Sequence, residues 1–518
     1  MKKISEDLYN LIKSLSKTEK SYFRKHSKTF GSSERSYIKL FDAVDAQVKK
    51  GKGYDEEKLK EALKGEKFLN QLSVAKNFLY NSILRNLVHF ILDETDNARL
   101  HDMVQGIQVL FDKSLFDQSE KLLSRAKKLA YSTENYHKLY ELLQWEKNHL
   151  LEKGDENMME KMDKIYKEEK MVITVLNEST ELRIIYGKAA SLLMSAGHAR
   201  EEQTAAQFKE LLDAPVMQEP DLLHTFYNKT FFYDIYIGYF SFVRDFKSYY
   251  DYILDLENLY ESNPAERKRR HTNYVLMIHN QLSGCLYVKE YRKYDEVMKK
   301  YKSYVKTRGR MTDYDRMLDV LIRKHQLLYY NALGSYNEGV KFAKPYIFEV
   351  EEMKDTYDPR ELTFAYYFTA LIYFGAGKYK EALEYANMII NEGEPEQRKE
   401  LYLSAKLISI IMHYELGNTE HLDFLIRSTY RYLVSRKLEY RFEKFLLDFF
   451  KRVLNNITQK ELMELFDESK YHITKFMDDP YEVSGALYFD YVSWLESKLE
   501  NKNYGDIVRK KAEKYIKG

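Results

Sequence analysis

Thirteen histidines are spread along the 518-residue sequence, and metal chemistry would need several of them to converge. A pair such as His271 and His279 stands two helical turns apart, about 12 Å along an axis rising about 1.5 Å per residue, too far to share one ion. Both read as ordinary surface or core histidines. The single cysteine, Cys285, excludes an internal disulfide and a paired-cysteine zinc site. It follows Gly284 at an apolar position of a helical pattern, where a small buried side chain serves close packing and not nucleophilic attack. Two acidic clusters, Glu349 with Glu351 and Glu352, and Asp55-Glu56-Glu57, lack the loop glycine and alternating oxygen ligands of a calcium site. The first reads as a solvated helix end, the second as a helix N-terminus favoured by the dipole. Phosphate-cradling glycine loops, the His-Glu-x-x-His zinc motif and the Gly-x-Ser-x-Gly elbow do not occur. No catalytic, cofactor-binding or metal-binding residue is therefore expected, and the chain reads as non-enzymatic.

Binding chemistry is better represented. The stretch from Phe226 to Tyr252 holds 13 Tyr and Phe residues, more rings than one helical face can bury. Tyrosine brings contact area and a hydroxyl at low conformational cost, so Tyr233, Tyr236 and Tyr239 are the expected partner contacts. The alternative is that these rings form core between helices. A second candidate lies in residues 1–90, where 19 Lys/Arg face 11 Asp/Glu, a net of +8 that leaves −6 for the remainder of a chain at +2. Within this basic end Asn77, Asn81 and Arg85 recur every four residues, flanked by Lys76. Asn and Arg are the side chains that pair bidentately with adenine and guanine edges. The plainer reading is a solvated helix face. The Arg267-Lys268-Arg269-Arg270 run after Pro264 reads as the solvated first turn of a helix.

These residues need elements to hold them, and the composition favours helices: 7 prolines and 20 glycines are few for such a length. Hydrophobic residues at 44% supply a folded interior. The clearest unit is TFAYYFTALIYFGAGKYKEALEYANMII. Tyr366, Ala370 and Tyr373 occupy one face of a first helix, Gly377 and Tyr379 mark a turn, and Ala382, Ala386 and Ile389 form the seam of a second. This order of residues resembles the tetratricopeptide repeat, from which it departs at Thr369, Ala386 and Ile389. LLYYNALGSYNEGVKFAKPY repeats it around Gly334 and Tyr336. Equivalent turn positions at 116, 156, 199, 246, 291, 336, 379 and 419, with weaker turns at Gly154 and around Gly197, step by roughly 40–47 residues, longer than the ~34 of that family.

The resemblance implies an all-α fold, a right-handed α-α superhelix of about eight tetratricopeptide-like helix pairs with an N-terminal helical cap. The expected organisation is a basic helical domain over 1–95, the repeat array over 96–455 and a helical cap over 456–518. In the first of these, Ile4, Leu8, Leu11 and Leu15 form a stripe, Ser16-Lys17-Thr18-Glu19 a capping box, and Gly51-Lys52-Gly53 a turn. Lys2 and Lys3 precede no apolar stretch of signal-peptide length, and no run approaches the ~18 apolar residues of a membrane span. A cytoplasmic protein without a membrane partner is expected. The resemblance implies a scaffold that binds a protein or peptide along the inner surface of the array. The alternative is a nucleic-acid-associated regulator whose residues 1–95 touch DNA or RNA, similar to peptide-sensing transcription regulators that join a helix-turn-helix to such an array.

Overall fold

A computed structural model describes residues 6–26, 34–51, 53–92, 95–154, 157–196, 198–199, 202–308, 312–353, 358–393, 398–436, 440–455, 458–479, 482 and 487–517. Lys2, Lys3, Ile4, Lys52, Gly197 and turn position 156 lie outside the described residues. Every regular element among those described is helical, and none is long and apolar enough to cross a membrane. The chain divides into two compact units, Met1–Asn177 and Glu178–Gly518.

The first unit contains α1 (Asp7–Ser14), α2 (Lys17–His26), α3 (Glu34–Lys50), α4 (Glu56–Ala62), α5 (Leu72–Leu92), α6 (Asp96–Asp112), α7 (Phe116–Ser132) and α8 (Tyr136–Lys153). Helix α9 (Met158–Ala196) runs through the division. Ser16 and Glu19 do form a capping box, the Ser16 N–H donating to the Glu19 carboxylate (2.7 Å) and the Glu19 N–H to Ser16 Oγ (3.2 Å). Leu8, Ile12, Phe23, Phe41, Val44, Leu59, Leu79 and Ile83 form a core of their own. Inside it Asp45 accepts from Lys20 (2.8 Å) and Arg24 (2.9 Å) and pairs with Lys49 (3.0 Å). Burial alone would raise its pKa, but hydrogen bonds from Lys20, Lys49 and Arg24 hold it at about 2.

The second unit continues with α10 (Glu202–Leu212), α11 (Phe226–Val243), α12 (Phe246–Glu261), α13 (Pro264–Arg269), α14 (His271–Tyr287) and α15 (Tyr291–Arg308). It goes on through α16 (Asp313–Leu333), α17 (Tyr336–Glu352), α18 (Pro359–Gly375), α19 (Tyr379–Glu392), α20 (Lys399–Glu415) and α21 (Thr419–Arg436). The remaining helices are α22 (Arg441–Leu454), α23 (Gln459–Met477), α24 (Tyr491–Leu499) and α25 (Tyr504–Lys517). Helices α11/α12, α14/α15, α16/α17, α18/α19 and α20/α21 pack as pairs, and the first helices α14, α16, α18 and α20 pack side by side in succession. Residues 458–517 share the core of the helices before them: Phe466, Trp494, Leu495 and Tyr504 belong to the same cluster as Leu446 and Phe450.

One corner recurs between the two helices of a pair. Lys289, Gly334, Gly377 and Gly417 adopt positive φ (62°, 64°, 72° and 71°) at the ends of α14, α16, α18 and α20. In each case the next residue donates its N–H back to a carbonyl five positions earlier, as Ser335 to Tyr330 and Lys378 to Tyr373, both 2.9 Å. This closes carbonyls that the helix end would leave unpaired. The residue after that starts the second helix, which is why Phe116, Phe246, Tyr291, Tyr336, Tyr379 and Thr419 all open helices.

Helix α25 packs across three of these corners. Lys289 Nζ donates to Tyr515 Oη (3.1 Å) and Arg292 to the Ile516 carbonyl (2.7 Å) at the first. At the second, Arg509 donates to the Gly334 carbonyl (3.3 Å), and a Cβ on Gly334 would stand 2.7 Å from the Arg509 nitrogen. At the third, a Cβ on Gly505 would stand 2.8 Å from the Gly375 carbonyl oxygen. Gly377, by contrast, has open space where a Cβ would go. Gly377→Ala should therefore cost only the left-handed backbone, about 1–2 kcal/mol. Gly334→Ala adds a collision with the α25 backbone and should cost about 3 kcal/mol or more. Urea denaturation of the two variants compares them, and equal losses would show that α25 does not dock at this corner.

Candidate functional site

Of the clefts in the second unit, one is built from three helices that each present a single stripe. Helix α9 contributes Tyr186, Ala189, Ala190 and Leu193, helix α11 Asp234, Ile237, Gly238 and Ser241, and helix α14 Asn273, Leu276 and Asn280. These spacings of three, four and seven are the repeat of one helical face. Phe208 of α10 and Tyr249 of α12 lie beneath, and the cavity holds about 320 Å³. Its width comes from small side chains: a Cβ on Gly238 would reach only van der Waals distance, 3.4 Å, from Leu193 Cδ1.

The half-buried Asp234 is the one acidic residue of α11. It forms no hydrogen bond or ion pair among the described residues, and burial pushes its carboxyl up to about 7. No Lys or Arg lines the cleft. The guanidinium groups of Arg183 and Arg270 lie over the ring of Tyr227 at 5.7 and 4.6 Å. Tyr227 is seven residues before Asp234 on α11, about 10 Å along the helix. The Asn273 and Asn280 side chains likewise make no internal hydrogen bond among the described residues and sit at the cleft surface.

Tyr233, Tyr236 and Tyr239 are half-buried on faces of α11 beside the cleft stripe, and none of them lines the cleft. Tyr236 donates to the Met217 carbonyl (2.9 Å) and stacks on Tyr252 (4.8 Å), and Tyr239 meets Phe208 edge-on (5.4 Å). All 13 rings between Phe226 and Tyr252 are buried or half-buried, so this segment spends its aromatics largely on packing. In the first unit Asn77, Asn81 and Arg85 share an exposed face of α5, with Asn81 donating to Asn77 Oδ1 (3.2 Å). Lys76 turns away to Glu56 (2.8 Å) and the Tyr54 hydroxyl (3.3 Å). A larger cleft there, between α7, α8 and α9, is walled by Lys127 and Lys153, whose ammonium groups are taken by Glu146, Glu168 and Glu120.

His271 bonds Asp315 (3.0 Å) and the Tyr304 hydroxyl (2.9 Å), while His279 bonds His325 of α16 (2.9 Å). Cys285 is buried beside the Tyr250 hydroxyl (3.7 Å), and burial pushes its thiol up to about 11. Asp55 caps α4 by accepting from the Lys58 N–H, and Glu349 pairs with Arg323 (2.6 Å). No three His, Cys, Asp or Glu side chains among the described residues converge as a metal site. Asp234, Gly238, Asn273 and Asn280 escape the sequence reading. Their signal is a lone carboxylate in an otherwise aromatic helix, with a glycine one turn on. No known family model, characterised protein or solved structure matches the chain.

Two pH effects follow from these groups. Asp234 keeps its proton up to about 7 when folded, whereas an unfolded Asp loses it near 3.9, so burial costs stability increasingly as pH rises between those values. Asp234→Asn should stabilise the protein by on the order of 1–2 kcal/mol at pH 8 and by almost nothing at pH 4, as urea titrations at both pH values would show. Burial pushes His279 and His325 well below the usual imidazole range. Below about pH 6.5 the unfolded chain takes up protons that both imidazoles refuse, and stability should fall by up to about 1.4 kcal/mol per imidazole per pH unit. Thermal melts from pH 7.5 to 5 should show that decline, flattened in a His279→Gln/His325→Gln variant.

Proposed function

We propose that this protein is a non-catalytic binding protein, a tetratricopeptide-like superhelix that holds an extended segment of a partner protein along a surface made by the first helices of successive pairs. The observation that carries the reading is the cleft across α9, α11 and α14, with its two uncommitted amides. Asn273 and Asn280 are seven residues apart on one helix, about 10.5 Å, which is close to the ~10 Å spanned by three residues of extended chain. An asparagine amide can donate to and accept from a peptide backbone at once, so this spacing suits a main chain lying along α14. The side-by-side packing of α14, α16, α18 and α20 supports the stacked arrangement that such a surface needs.

A random peptide-display library panned on the intact chain tests this. It should enrich a common sequence whose affinity falls about tenfold, some 1.4 kcal/mol, on Asn273→Ala and more on Gly238→Val, which narrows the cleft. Asn81→Ala, in the first unit, should leave it unchanged. Enrichment indifferent to both cleft variants would overturn the proposal.

A further inference from the structure

We propose that the cleft selects a basic side chain, with the ammonium or guanidinium group of the bound segment meeting the Asp234 carboxylate between α9, α11 and α14. The inference rests on the binding reading above and adds the chemistry of the guest. A carboxylate partly withdrawn from water on a cleft wall is stabilised by a counter-ion or hydrogen-bond donors, and Asp234 has neither among the described residues. The cost is recovered if a partner brings the cation.

The rest of the cleft suits the stem of such a side chain. Lysine and arginine carry three or four methylenes before the charge, and Leu193, Leu276 and Ile237 offer apolar walls of that length. The ring of Tyr186, half-exposed at the rim, gives a cation an aromatic face. A cavity of about 320 Å³ has room for one long side chain. An acidic guest would be repelled by Asp234, and a purely apolar one would leave the carboxylate dry and unpaired. Arg183 and Arg270 lie over Tyr227 and are not among the residues lining the cleft, so they do not fill the role internally. An extended main chain on Asn273 and Asn280 would pass the mouth of the cleft, from which a side chain can enter.

The test uses the full chain and five pools of acetylated, amidated nonapeptides, randomised except for a central Lys, Arg, norleucine, Gln or Glu. Binding is read by fluorescence anisotropy at pH 8, with n-butylammonium chloride as a second probe read by thermal shift. The Lys and Arg pools should bind about tenfold tighter than the norleucine pool, with Glu weakest. With Asp234→Asn that preference should shrink to within about twofold, while Asn273→Ala should weaken all pools alike. Circular dichroism confirms that each variant is folded. A native chain that binds all pools equally overturns the basic guest and leaves the peptide-binding reading standing, as does a Lys/Arg preference that survives Asp234→Asn. If no pool binds, the peptide reading falls, and n-butylammonium decides the cation site: stabilisation of the native chain but not of Asp234→Asn supports it, and no difference overturns it.

Discussion

The last carbonyl groups of a helix have no partner within it, and in this protein they are closed by a left-handed residue followed at once by a back-donating N–H. Lys289, Gly334, Gly377 and Gly417 occupy that left-handed position at four successive corners. The second helix of each pair begins two residues after the left-handed one, at 291, 336, 379 and 419. The fixed offset sets which stripes meet across the pair. A longer or looser corner would let the second helix slide, and the small residues at 370, 382 and 386, all buried, would no longer face one another. Packing within a pair, and then between pairs, follows from how one helix ends.

Charge is handled with similar economy nearly everywhere. Lys300 meets Glu257 and Glu261 (2.6 and 2.8 Å), Arg323 meets Asp319 and Glu349 (2.7 and 2.6 Å), and the buried Lys324 meets Glu361 (2.6 Å). These pairs offset part of the penalty of placing charge between helices, and removing one partner would leave the other charge uncompensated. Asp234 departs from the pattern. In a helix rich in Phe, Tyr and Ile, whose one other charge, Lys229, pairs with Asp221, the Asp234 carboxylate faces a cavity without a partner among the described residues, and its cost falls on stability. That contrast, more than the size of the cleft, distinguishes it from the lysine-walled cleft of the first unit, where anions are already in place.

The corners were legible in the sequence because they are local. The aromatic residues at 116, 246, 291, 336 and 379 announce the start of second helices, and in structure each is the first residue of one. The capping box at Ser16 was legible for the same reason. The cleft was not, since its stripes come from helices nearly a hundred residues apart, and periodicity within one helix does not say which face meets a cavity. Abundance also misdirected attention in α11: the tyrosines are conspicuous, yet Tyr236 and Tyr239 are occupied with Tyr252 and Phe208. The four-residue spacing of Asn77 and Asn81 is conspicuous in the sequence, and in the structure it lets the Asn81 amide donate to Asn77 Oδ1. The seven-residue spacing of Asn273 and Asn280 carries no local signature, because such residues lie two turns apart and do not touch.

Helix α25 gives the second unit a dependence on the order of synthesis. The corner at Gly334 receives its outer wall from Arg509, 175 residues later in the chain. Until that stretch has been made, the corners at Lys289 and Gly334 and the end of α18 at Gly375 lack the cover that α25 gives them. Closing so long a loop is slow compared with closing a single pair. A corner made early in synthesis thus keeps its native cover only once α25 has been made.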